Sequence, residues 1–143
     1  MVNDVLDSIS KALYTTFGNK YTYYIENIEQ NTKLPCFNIG VLNPLSRSTN
    51  SKDYYWTVPC VLHYFTNNKQ TNLNEKYSIG AQTMECLEYL QIGKQLVRAE
   101  DMSMQIVDDA LQVFLTYRFW TEKEQPVLDG MEGVEIAPTR VIE

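Results

Sequence analysis

The run Asp53–Phe65, DYYWTVPCVLHYF, constrains this chain more than any other part of it. Its density of aromatic and β-branched residues predicts a long strand over Asp53–Thr66, and successive strand side chains point to opposite faces. One parity, Tyr54, Trp56, Val58, Cys60, Leu62 and Tyr64, is apolar or aromatic throughout. The other, Tyr55, Thr57, Pro59, Val61, His63 and Phe65, is mixed but still half apolar. A strand that is substantially apolar on both faces must be covered twice. In 143 residues the chain's own helices supply one cover, and a second copy of the protein is the candidate for the other. The expectation is a subunit of an assembly rather than a self-contained enzyme.

The length suits one domain that buries about two thirds of its unfolded-chain surface. A net charge of −6 argues against a binder of phosphate backbones, which gains affinity by releasing counterions from a basic patch. No stretch approaches the roughly eighteen apolar residues of a membrane span. The N-terminal MVNDVLDSISK carries Asp4 and no basic region, unlike a secretory signal. Cys36, Cys60 and Cys86 are odd in number, and their spacing fits neither a zinc site nor a disulfide framework. They are expected as buried free thiols of a protein made in a cytoplasm.

Val2, Val5, Leu6, Ile9, Leu13 and Phe17 follow the helical period, and Gly18-Asn19 supplies a left-handed stop. Strands are expected at Tyr21–Gln30 and Cys36–Asn43, separated by a turn near Thr32–Pro35. The polar stretch Asn43–Lys52 reads as a long hairpin tip or mobile arm, and Pro59 in the third strand suggests a bulge or an edge. After a polar connection at Asn67–Asn72, Leu73, Tyr77, Ala81, Met84, Leu87 and Leu90 predict a second helix over Leu73–Leu90. Short strands are expected at Lys94–Glu100 and Ser103–Val107 around a turn at Glu100–Met102, then a long strand at Ala110–Trp120. The result is an α+β fold of order α-β-β-β-α-β-β-β, an antiparallel or mixed sheet with two helices packed on one face. Residues 1–121 form the domain and 122–143 an extended acidic tail.

Chemistry is harder to place. Nucleophilic catalysis needs a base beside its nucleophile. The one histidine, His63, sits in a strand with no accompanying serine or cysteine motif, and is expected to be structural. No P-loop, dinucleotide glycine pattern, G-x-S-x-G or H-E-x-x-H occurs. Glu100-Asp101 and Asp108-Asp109 fit turns better than a metal site. The aromatic clusters Tyr21/Tyr23/Tyr24 and Tyr54/Tyr55/Trp56 lack the basic residues of a nucleic-acid platform and suit a core or a subunit interface. No catalytic residue, cofactor or metal is assigned. Tyr55, His63, Arg118 and Trp120, on the less apolar faces of the long strands, are the candidate subunit interface. Arg47 and Lys52, basic residues in an acidic chain, are the candidate contacts of the polar stretch with a neighbour.

Several segments together resemble one family. They are MVNDVLDSISKALYTTFG, LPCFNIGVLNP with its Pro35–Phe37 step, the aromatic strand, and MECLEYLQIGKQLVRAEDMSMQIVDDALQVFLTYRF with Cys86-Leu87-Glu88 and Leu96-Val97-Arg98. Over residues 1–120 they look like the phage tail terminator proteins, minor tail proteins of Gram-positive phages and prophages. The resemblance implies a structural virion protein at the head-proximal end of the tail, made in the bacterial host cytoplasm. It implies a homo-oligomeric ring, a hexamer, that caps the tail tube and any sheath, ends their growth, and offers the surface for head joining. Its partners would be the tail tube protein, the sheath protein and the head–tail connector. DNA would pass through its channel without specific binding, and no membrane is involved. A head–tail connector, a tail-completion protein or the ring of a contractile bacteriocin are the neighbouring readings. A small cytoplasmic enzyme or ligand-binding domain, using a pocket on the open sheet face, is the reading from another class.

Overall fold

The computed structural model describes residues 2–26, 33–48, 50–66 and 73–123. Helix α1, Val2–Phe17, buries Val5, Leu6, Ile9 and Leu13, the stripe expected from the 3.6-residue period. It ends where Gly18 turns to φ +65°, a conformation open to glycine without steric cost. The Tyr23 hydroxyl donates to the Gly18 carbonyl at 2.9 Å, with the Leu13 carbonyl a longer second acceptor at 3.3 Å, tying the following segment to the end of α1. A short 3-10 turn, Gly18–Lys20, leads into the sheet.

Seven strands follow: β1 Thr22–Ile25, β2 Cys36–Val41, β3 Leu45–Ser48, β4 Asp53–Phe65, β5 Tyr89–Ile92, β6 Gln95–Val107 and β7 Ala110–Glu122. Helix α2, Leu73–Leu87, separates β4 from β5. The strands lie in the order β1-β2-β4-β7-β6-β5, with β3 beside β4 beyond the end of β2. Only β1 and β2 run parallel. The expected α+β class, mixed sheet and element order are borne out, with one further short strand, β3.

The two long strands keep the alternation read from their residues. Val58, Cys60, Leu62 and Tyr64 of β4, with Leu111, Val113, Leu115, Tyr117 and Phe119 of β7, are buried in one core with α1. The Tyr117 hydroxyl donates to the Leu87 carbonyl at 2.5 Å, tying the C-terminal end of α2 to the middle of the sheet. Phe17, Tyr21, Tyr23, Phe37 and Tyr64 close the other side of that core with ring centroids 5.2–6.0 Å apart.

Four expectations are corrected. The polar stretch Asn43–Lys52 is not one loop: Leu45–Ser48 pairs with Tyr54–Thr57 as β3. All four of its residues are exposed, so this strand forms through its backbone ladder and carries no buried side chain for a periodicity to reveal. Helix α2 stops at Leu87, because Tyr-Leu-Gln-Ile then alternates exposed and buried and pairs with Gln95–Arg98 around Gly93 at φ +59°. Leu87 and Leu90 lie three apart, a spacing that also fits a helix.

The buried stripe of α2 is Lys76, Gly80, Thr83 and Leu87, whereas Leu73 and Tyr77 are exposed. Small side chains let the helix approach closely. A Cβ on Gly80 would stand 2.5 Å from the Met104 sulfur. Finally, Lys94–Glu100 and Ser103–Val107 are one strand, β6, interrupted by a bulge between Glu100 and Ser103 where Asp101 takes φ +54°. The extra residues locally bend the ladder without ending it.

Pro59 is neither in a bulge nor on an edge strand, a fifth correction. It lies inside β4, opposite Thr116 of β7. Its carbonyl accepts from the Leu42 amide, so its nitrogen faces the gap between the end of β2 at Val41 and the start of β3 at Leu45. The missing donor falls where the ladder changes partners. Of the expected strand Tyr21–Gln30, residues 27–30 lie outside the described residues, as do Thr32 of the expected turn and the connection 67–72. The expected tail, 122–143, begins inside β7 with Glu122, and 124–143 lie outside the described residues.

Candidate functional site

Among the described residues, α1 and α2 pack on the apolar parity of the sheet, which leaves the second parity of β4 and β7 as an outer face. Val61 is buried there, and Tyr55, Pro59, His63, Phe65 and Phe114 are half-buried. Trp120 is 47% exposed. The face thus presents aromatic and aliphatic groups that α1 and α2 do not cover.

The six residues singled out from the sequence fall into two groups. Arg47, Tyr55 and Trp120 occupy one row, for Arg47 is opposite Tyr55 and Tyr55 is opposite Trp120. The Tyr55 and Trp120 rings are 4.8 Å apart at 52°. Arg118 lies one row inward, opposite Thr57. Its guanidinium meets Glu100 at 3.1 Å and Asp101 at 3.5 Å, holding the bulge of β6 against β7. Lys52 sits in the β3–β4 turn, where the Asn50 side chain accepts from the Lys52 and Asp53 amides at 2.7 and 2.8 Å. Arg47 belongs to a strand rather than to a loop, so the pair expected on one hairpin tip or mobile arm is divided between strand and turn.

His63 stands eight residues from Tyr55 along β4, about 27 Å away at the rise of a strand. Its row runs Asn38–His63–Gln112–Gln105, with Gln105 donating to Gln112 at 2.9 Å. The imidazole stacks on Phe65 at 5.9 Å and 8°. Burial holds His63 below its ordinary pKa and pushes the thiol of Cys36, opposite Phe65 on the same face, up. Both shifts oppose a thiolate–imidazolium pair. Cys60 is pushed up to about 12 by burial, and all three cysteines are unpaired. Among the described residues, no group of three or more His, Cys, Asp or Glu could hold a metal ion. No helix among them is long and apolar enough to cross a membrane.

Two contributors escaped the sequence reading. The Lys123 ammonium donates to Ser48 Oγ at 2.5 Å and to the Asn50 carbonyl at 2.9 Å, and lies 4.9 Å over the Tyr54 ring. Its backbone amide donates to the Lys52 carbonyl, extending the β4–β7 ladder by one residue. Nothing local marks it, since it falls in a segment read as tail. Gln95 is the second, donating its amide to the Trp120 carbonyl at 2.6 Å where β6 has already left β7. Apart from this face, a shallow groove of about 580 Å³ runs between α1 and β5, lined by Asp7, Lys11, Tyr89 and Gln91.

The fold resembles a solved sheath/tube terminator of an extracellular contractile injection system, PVC, in the extended state. The TM-score is 0.56 at 12% identity, covering 99% of this chain and 65% of that one. The likeness is one of fold, and this chain spans just under two thirds of that protein's length. A second solved chain aligns at a TM-score of 0.41 and 11% identity over 85% of this chain and 97% of its own. No curated protein matches. A family model described as phage tail terminator protein matches residues 4–129, a span from the first turn of α1 to beyond the last strand. The chain therefore belongs to the phage tail terminator protein family.

Proposed function

We propose that this chain is a subunit of the ring that closes the head-proximal end of a phage tail, acting by assembly rather than by catalysis. The match of the terminator family model to residues 4–129 carries this reading. The ring, a hexamer, caps the tail tube and any sheath, stops their polymerisation and presents the surface to which the head joins. The solved injection-system protein of the same fold is itself a sheath/tube terminator, which supports the tube and sheath as partners. A chain of net charge −6 suits a channel through which DNA passes without sticking.

The outer face of the sheet is the surface we assign to subunit contact, with Tyr55, His63, Arg118 and Trp120 contributing. Aromatic residues and arginine are enriched at such interfaces, and this face displays both. Arg47 and Lys52, at the tip formed by β3, β4 and β7, are assigned to the neighbouring ring of the tail. We read residues 1–121 as the domain and 122–143 as a C-terminal extension.

Electron microscopy of particles lacking the protein tests the role. Tails of uncontrolled length are expected. Normal-length tails that fail to join heads would instead make it a connector. Native mass spectrometry of the purified protein tests the ring and counts its subunits.

A further inference from the structure

Helix α2 turns an apolar series away from its own core. Leu73, Tyr77 and Ala81 stand four residues apart and share one flank of the helix. Leu73 is 58% and Tyr77 44% exposed, and Ala81 is exposed as well. The helix meets the sheet instead through Thr83, Leu87 and Gly80, which gives Met104 room to approach. Scattered apolar residues on a surface are ordinary, but a series along one helix flank marks a contact.

The outer face of the sheet, on the other side of the molecule, is open in the same way. Trp120 is 47% and Leu96 67% exposed, and Tyr55 is half-buried beside Trp120. Leu96 and Arg98 belong to this face, since Val97 and Ala99 of the same strand are in the core. The two patches lie on opposite layers of one chain, so neither covers the other within a copy. Their charges match. The spacing that links Leu73, Tyr77 and Ala81 next brings Glu85, which is exposed, and α2 has no exposed base, because Lys76 is buried beside Asp109. Arg98 keeps 67% of its side chain exposed despite a 3.3 Å bridge to Glu88.

We infer that α2 of one copy packs on the outer sheet face of the next, Leu73 and Tyr77 against Trp120, Tyr55 and Leu96, with Glu85 toward Arg98. A helix laid on a sheet is a standard way to bury an apolar sheet face. β4 and β7 are then covered twice, by their own helices and by the neighbour's α2. Helix flank against sheet face is a head-to-tail contact, which leaves one patch bare at each end of an open row and none in a closed ring. The inference rests on the reading of the chain as a ring subunit and names the surface that the outer face meets.

Full-length Tyr77→Arg and Trp120→Arg variants, their folds checked by thermal unfolding, test the contact in native mass spectrometry and sedimentation. Each alone is expected to need about thirtyfold more protein than the parent to associate. Leu73→Arg is expected to behave as Tyr77→Arg does. Mixed one to one, Tyr77→Arg and Trp120→Arg are expected to form heterodimers and no ring, because the intact outer face of the first takes the intact α2 of the second. If the parent associates and both α2 variants associate equally well, the contact is overturned while the ring reading stands. A mixture without heterodimers overturns it too. A parent that stays monomeric at every concentration overturns the ring reading and this contact with it.

Discussion

Tyr55 and Trp120 face each other across β4 and β7 with their ring centroids 4.8 Å apart, outside the layer that the helices cover. Neither ring is needed to close the core, which lies on the opposite parity of the same strands. Trp120→Ala is therefore expected to leave the fold intact while weakening subunit association by about 2 kcal/mol, the scale of an interface anchor. Thermal unfolding of the dilute monomer and sedimentation across a concentration series separate the two effects. Unchanged association would move the interface off this row.

Tyr117 is the opposite case. Its hydroxyl is buried against the Leu87 carbonyl, and burial pushes its pKa far up. Tyr117→Phe keeps the ring and strands that carbonyl, so a loss of about 1–3 kcal/mol in chemical denaturation is expected. A loss well under that range would mean that water takes over the pairing.

The His63 imidazole is held by burial below its ordinary value of 6.5. It binds fewer protons in the fold than in the unfolded chain, so its contribution to stability is full at neutral pH. That contribution declines as pH falls through about 6.5 toward the lower folded value. Subtracting the stability–pH curve of His63→Gln from that of the parent isolates this decline, since both share the same carboxylates. A flat difference between about pH 7 and 5 would place the ring in solvent.

Lys123 clamps the β3–β4 turn through Ser48 and Asn50. Lys123→Ala is expected to lower global stability by only about 0.5–1 kcal/mol, because these are exposed bonds. Amide exchange along Leu45–Ser48 and at Lys52 is expected to speed up more than exchange in β7. Uniform acceleration would show that the clamp supports the whole sheet.

Those strands whose side chains alternate against the helices were legible from the residues: β4 and β7 announce themselves by parity, and α1 by the spacing of Val5, Ile9 and Leu13. Elements without a buried side chain were not. β3 is held by backbone pairing alone, and Leu45-Ser-Arg-Ser carries no pattern that distinguishes it from a loop. The face of α2 was misread because the contact is made by Gly80 and Thr83, whose value is their small size, while Leu73 and Tyr77 are exposed. At the candidate site, Tyr55 and Trp120 were identified from aromatic content and parity. Their union with Arg47 depended on the register of β3, and the separation of His63 on its position along β4. Both follow from pairing between distant segments, which no local stretch of chain records.

The change of neighbour at Pro59 makes this sheet two structures in series. On one side β2 and β6 pair with the long strands, and on the other β3 takes the place of β2 while β6, past Tyr117, reaches β7 through the Gln95 side chain. β4 and β7 alone run through both. The outer-face side chains beyond this junction, Tyr55 and Trp120, lie on the parity opposite the core to which Val58 and Phe119 belong. They form a region in which the identity of a binding partner can be rewritten by mutation while the helix-backed body continues to fold unchanged.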